Sequence, residues 1–159
     1  MQLKRLSSIG VAAGIFASSA MPAMATTGSS ELNLKSGDML QANAFHCGLY
    51  FSHCSWSSSA KLLGTTPKRA TWIRNNAEIR AHGPSASITI GKSSNVVIEF
   101  KSKTLIKTRW TNTKTWISDS SGKVSPSKTT VFVSTKSKAY AYHPTFGTPG
   151  PVVAYAGAI

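Results

Sequence analysis

The stretch Ser85–Trp110, SASITIGKSSNVVIEFKSKTLIKTRW, constrains the chain more than any other. Ala86, Ile88 and Ile90 alternate with Ser85, Ser87 and Thr89. A turn-forming cluster, Gly91 to Asn95, separates them from a β-rich run, Val96 to Phe100. A further break at Lys101–Lys103 leads to a third run ending at Trp110. Period-two alternation, β-branched residues and Gly/Ser/Asn punctuation predict short antiparallel strands. The 3.6-residue rhythm of an amphipathic helix is missing. An all-β fold follows.

The pattern recurs on both sides. CGLYFSHCSWSSSAKLLGTTPKRATW upstream and TTVFVSTKSKAYAYH downstream each give an apolar run, a polar turn and a second run. With Ala60, Asn95 and Lys138 as equivalent points, the spacings are 35 and 43 residues. Such periods are those of stacked or symmetric repeats. On this reading Trp56–Ala60, Lys136–Lys138 and Asp119–Lys123 are polar turns, and Asn75-Asn76 is punctuation.

ASITIGKSSNVVIEF…IKTRWTNT resembles one repeat of the bulb-type, mannose-binding lectins of monocots, and LNLKSGDMLQANAF resembles that family's opening. The resemblance covers most of 32–142. It implies a β-prism of three four-stranded sheets about a pseudo-threefold axis, with Trp72 and Trp110 packed in the middle. The pattern of strands alone also admits a β-sandwich or a small β-barrel. The family's sugar motif, Q-x-D-x-N-x-V-x-Y, falls on Gly91, Ser93, Asn95, Val97 and Glu99 in the second repeat, where only Asn95 and Val97 match. In the third it falls on Ser134, Lys136, Lys138, Tyr140 and Tyr142, where only Tyr142 matches; in the first nothing matches. The mannose chemistry is therefore degraded. Ser93, Asn95, Val97, Glu99, Lys136, Lys138, Tyr140 and Tyr142 remain the candidate carbohydrate contacts. The lysines and tyrosines of the third repeat suit an acidic saccharide. The terminal strand of the resembled fold often completes another repeat or a partner's sheet, so a homodimer is one expectation.

Residues 1–25 read as an export signal. Lys4 and Arg5 precede an apolar run from Ile9 to Ala20, and Ala23-Met24-Ala25 fits a small-x-small cleavage site. The expectation is cleavage after Ala25 and a secreted single all-β domain over 26–159. No later stretch suits a membrane span. Loss of Lys4 and Arg5 lowers the formal charge from +13 to +11. Such a field favours anionic partners, here a glycan or an anionic cell-envelope polysaccharide; nucleic acid ranks last for an exported protein. Solubility alone is the plain alternative. Within the central stretch, Lys101, Lys103, Lys107 and Arg109 share parity against Phe100, Ile106 and Trp110. An extended chain there would show the cations to solvent and bury the aromatics.

Cys47 and Cys54 are the only cysteines and, in an exported chain, are expected to form a disulfide. His46 and His53 precede them, but the spacing matches no strong zinc signature, so no metal is expected. No cofactor is implied. The five carboxylates, Glu31, Asp38, Glu78, Glu99 and Asp119, include no close pair in sequence, and neither a G-x-S-x-G elbow nor HExxH occurs. The expectation is a non-catalytic binding protein. A lectin-like bacteriocin or other secreted antagonist is the second reading, and a small secreted hydrolase the third.

Overall fold

The computed structural model describes residues 27–35, 37–46, 54–64 and 69–157. The predicted export signal and Cys47 lie outside the described residues, as does His53. Ten strands form: β1 (Thr27–Asn33), β2 (Met39–His46), β3 (Cys54–Leu63), β4 (Ala70–His82), β5 (Ile88–Ser94), β6 (Val97–Lys101), β7 (Leu105–Thr115), β8 (Ile117–Pro126), β9 (Phe132–Tyr142) and β10 (Val152–Ala156). No helix among the described residues is long and apolar enough to cross a membrane.

The strands make two five-stranded antiparallel sheets, ordered β1-β2-β3-β8-β5 and β10-β9-β4-β7-β6. All-β is therefore correct, but two sheets of five stand where the resemblance implied three of four. The proposed equivalent points do not occupy equivalent places either. Ala60 lies inside β3 and Lys138 inside β9, whereas Asn95 occupies the link from β5 to β6, that is, from one sheet to the other. Its φ of 53° is a left-handed value that asparagine tolerates well. The last strand, β10, pairs with β9 of its own chain.

The three predicted polar turns are strand interiors. Trp56–Ala60 belongs to β3, Asp119–Lys123 to β8, and Lys136–Lys138 to β9. Each of these segments is hydrogen-bonded on both flanks, β3 by β2 and β8, β8 by β3 and β5, β9 by β4 and β10. Ladder pairing on two sides overrides the local preference of Ser, Gly and Lys for turns. The alternation is strict. Cys54, Trp56, Ser58, Ala60 and Leu62 are buried on β3, and every second residue of β9 from Val133 to Ala141 is buried.

The inward faces meet in a core of small side chains. One apolar cluster gathers Leu40, Ala42, Ala60, Leu62, Ile73, Ala139 and Ala141 with their neighbours; the other gathers Trp56, Ala77, Ile79, Ile88, Ile106 and Val124 with theirs. Between them lies a polar layer around Asn75, which is fully buried. Ser58 Oγ donates to Asn75 Oδ1 (2.7 Å), and Asn75 Nδ2 donates to the Ser58 carbonyl (2.8 Å) and to Ser120 Oγ (2.9 Å). Ser137 Oγ donates to Asn75 Oδ1 at 3.3 Å. Four strands from both sheets are joined through one amide. At one margin, a Cβ on Gly28 of β1 would lie 1.7 Å from the Tyr155 carbonyl oxygen of β10, so only glycine lets those edge strands approach.

The tryptophans do not share an interior. Trp72 and Trp110 lie on neighbouring strands of one sheet, but Trp110 is registered opposite inward-facing Asn75 and Trp72 opposite Tyr142 and Thr113 on the outer face. The indole in the core is that of Trp56.

Candidate functional site: a cationic and aromatic sheet face

The outer face of the second sheet carries the densest functional chemistry among the described residues. Its centre is β4, whose segment TWIRNNAEIRAH buries Ile73, Asn75, Ala77, Ile79 and Ala81 and so turns Trp72, Arg74, Asn76, Glu78, Arg80 and His82 outward. Pairing with β9 and β7 sets these residues in rows. Glu78 stands between Lys136 and Lys107, Asn76 between Lys138 and Arg109, and Arg74 between Tyr140 and Thr111. At one end Trp72 faces Tyr142, and at the other His82 faces Phe132. Tyr155 of β10 extends the Lys136 row, and Phe100 of β6 extends the Lys107 row. Residues opposite one another in such pairs have Cβ atoms about 4.5–5.5 Å apart.

Six cations thus share the face: Arg74, Arg80, Lys107, Arg109, Lys136 and Lys138. Two carboxylates accompany them. Lys138 Nζ donates to Glu78 Oε1 at 2.6 Å, and Arg109 pairs with Glu99. Three cations instead lie over rings: Arg74 over Trp72 at 5.1 Å, Lys136 over Tyr155 at 4.9 Å and Lys107 over Phe100 at 5.9 Å. Trp72 and Tyr142 stack with centroids 6.2 Å apart. Each such cation–ring contact restrains two side chains and so limits the entropy a ligand would have to freeze.

The charges shift one another. Burial raises the Glu78 carboxyl, but the Lys138 hydrogen bond and the charges of Lys138, Lys107 and Lys136 outweigh it and hold the group below its ordinary value. The Lys138 ammonium is raised, chiefly by the hydrogen bond to Glu78. Both partners point the same way, toward a charged pair. Burial lowers the His82 imidazole, and Arg80 adds to the effect. His82 Nε2 lies 2.8 Å from Ser134 Oγ, and its ring stacks on Phe132 at 4.1 Å and 11°.

Of the residues singled out from sequence, Lys136, Lys138, Tyr140 and Tyr142 come together on this face as alternate residues of β9. Val97 and Glu99 lie at its far edge on β6, with Val97 registered against Arg109. Asn95 sits apart in the turn before β6, and Ser93 is on β5 in the other sheet, paired through its backbone with Gly122; its side chain lies outside the described part. The eight do not form one site. The Lys101–Arg109 stripe is also broken. A turn closed by Ser102 N–H donating to the Leu105 carbonyl divides it, leaving Lys107 and Arg109 on the outer face. Phe100, expected to be buried, is exposed beside Lys107. Trp72, Arg74, Arg80 and His82 were not anticipated, although the parity of β4 displays them.

Cys54 is buried on β3; its predicted bond to Cys47 reaches outside the described residues. Among the described residues no three His, Cys, Asp or Glu side chains group as metal ligands. The sequence matches no protein-family model, and no curated protein matches it.

Proposed function

We propose that this is a secreted, non-catalytic protein that binds anionic cell-envelope polysaccharide through the outer face of its second sheet. One observation carries the reading: Lys and Arg share a single sheet face with aromatic rings, with six cations against two carboxylates. Cations attract a repeating acid from a distance, and that part of the affinity falls with salt. Rings accept the apolar faces of sugars, and that part does not. The proposal keeps the saccharide partner of the lectin resemblance and leaves aside its mannose motif and its three-sheet plan. Export rests on the leader-like 1–25.

The test is binding of the secreted form to immobilised acidic polysaccharide, a neutral polysaccharide and single-stranded DNA over a salt series. Preference for the acidic saccharide that persists at about 0.3 M salt, where the Debye length is well under 10 Å, supports the proposal. Binding abolished by salt for every polymer refutes it in favour of unspecific charge attraction. A tighter complex with DNA refutes it in favour of nucleic acid, for which a basic, ring-bearing face is also suited.

A further inference from the structure

A groove of about 390 Å³ opens at the His82 end of the same face, between β4, β9 and β10. That volume lies in the range of about 300–1,000 Å³ typical of small-ligand sites. Its lining is unlike the rest of the face. Arg80 and Lys136 stand diagonally across the β4–β9 pair, about 7–8 Å apart at the backbone. Neither has a carboxylate within ion-pair distance among the described residues, where Glu78 is taken by Lys138 and Glu99 by Arg109. One wall is the flat His82–Phe132 stack. The opposite wall is Tyr155, half exposed, with Lys136 beneath its ring.

Close backbone packing borders the groove. Gly157, just past β10, has φ of 120°, and a Cβ there would lie 2.8 Å from the Ser134 side chain. Glycine lets the chain leaving β10 pass close to β9, while pairing with Lys136 places Tyr155 beside the groove. Two rings, two cations without carboxylate partners and the Ser134 hydroxyl therefore converge on a space the size of a small ligand, which is also lined by the Glu78 carboxylate, itself held by Lys138.

We infer that this groove is a subsite for one acidic sugar residue, whose carboxylate or phosphate meets Arg80 and Lys136 while its ring lies between Tyr155 and Phe132. This rests on the polysaccharide reading and makes it specific. A guanidinium takes a carboxylate or phosphate through two parallel N–H donors, which an ammonium cannot do. The remaining cations of the face then bind neighbouring acidic residues of the polymer with less positional demand.

The experiment is calorimetric titration of the secreted form with a galacturonate trisaccharide, the matching galactose trisaccharide and galactose 6-phosphate. Binding of the galacturonate trisaccharide about tenfold or more tighter than the neutral one is expected. Arg80→Ala and Tyr155→Ala should each weaken it about tenfold, and Tyr155→Phe should restore it. Lys107→Ala with Arg109→Ala, on the far strand, should weaken long polymer but leave the trisaccharide within roughly twofold, as for independent sites. Arg80 and Tyr155 are both exposed, so unchanged melting curves establish that the variants fold. Galactose 6-phosphate binding more tightly than the uronate would assign the phosphate form of the ligand. Equal binding of acidic and neutral trisaccharides, or insensitivity to both substitutions, overturns the subsite. Polymer binding without trisaccharide binding overturns the subsite while leaving the proposed function intact; loss of both removes the two together.

Discussion

Replacing Asn75 by Ala tests the fold that presents this face. The change removes four hydrogen bonds, two accepted by Oδ1 and two donated by Nδ2. The hydroxyls of Ser58 and Ser120, both buried, lose the partner that Asn75 supplied, and Ser137 keeps only a 3.4 Å bond to the Ser59 carbonyl. An unsatisfied buried polar group costs about 1–3 kcal/mol, so two hydroxyls and a small void come to about 3–5 kcal/mol. That is about a fifth or more of the about 5–15 kcal/mol that stabilises an ordinary domain. Urea unfolding followed by tryptophan fluorescence, to which buried Trp56 contributes, measures it as a fall in midpoint at constant slope. Asn75→Leu should recover little, because it refills the space and leaves the hydroxyls orphaned. Adding Ser58→Ala and Ser120→Ala to Asn75→Leu should recover most of the loss, since exchanging all partners for apolar groups is nearly neutral. A loss below about 1 kcal/mol for Asn75→Ala would refute the account, as would a triple variant no more stable than Asn75→Leu.

Glu78→Gln frees Lys138 and removes one of the face's two carboxylates, so affinity for acidic polysaccharide at low salt should rise, by equilibrium binding. The same variant should lose part of its acid sensitivity. The depressed Glu78 carboxyl adds stability that is present above its ordinary, unfolded value and lost as pH falls through the lower folded one, which thermal melts between pH 6 and 3 will record. His82 also titrates low in the folded state, so the unfolded chain takes up its proton first and stability should decline as pH drops below about 6.5; His82→Phe should flatten that decline. Gly28→Ala places a methyl against the Tyr155 carbonyl and should cost about 1–3 kcal/mol or more, read as a lowered melting temperature with the β1–β10 margin losing amide-exchange protection first.

Strand content was legible because alternation is a local property. The outward set of β9 follows from parity alone: Lys136, Lys138, Tyr140 and Tyr142 are two apart, so whichever face takes one takes all. Their pairing with β4 was not legible, because partner choice depends on contacts far apart in sequence. Asn75-Asn76 looked like punctuation for the same reason. One of the two is the hub of the core and the other lies on the outer face, and only the opposite sheet distinguishes them. Ser58, Ser120 and Ser137 gave no signal of burial; serine is a strand-interior residue here because Asn75 offers each hydroxyl a partner. The three-sheet expectation failed at Asn95. A turn within a repeat and a crossing between sheets use the same Gly/Ser/Asn vocabulary.

The two outer faces of the sandwich form an internal comparison. Across β1, β2, β3 and β8 the outward residues are largely hydroxyls and amides, among them Thr27, Ser29, Gln41, Asn43, Ser57, Ser59 and Ser121. Its charges balance, Glu31 and Asp119 against Lys61 and Lys123. Gln41 donates to Glu31 at 2.6 Å and Asn43 donates to Gln41 at 3.0 Å, so the surface satisfies much of its own polarity. A groove of about 570 Å³ runs over it without a cluster of cations. This chain can therefore keep a sheet face wet with neutral groups. The second face carries six of the sixteen basic residues that follow position 25, and only two of the six have a carboxylate partner. Crowding like charges beside exposed rings raises the energy of the isolated molecule, since the cations repel one another and the rings meet water. Solubility does not call for that arrangement, as the first face demonstrates. The acidic polysaccharide proposed as partner, laid across β9, β4 and β7, would relieve both costs at once.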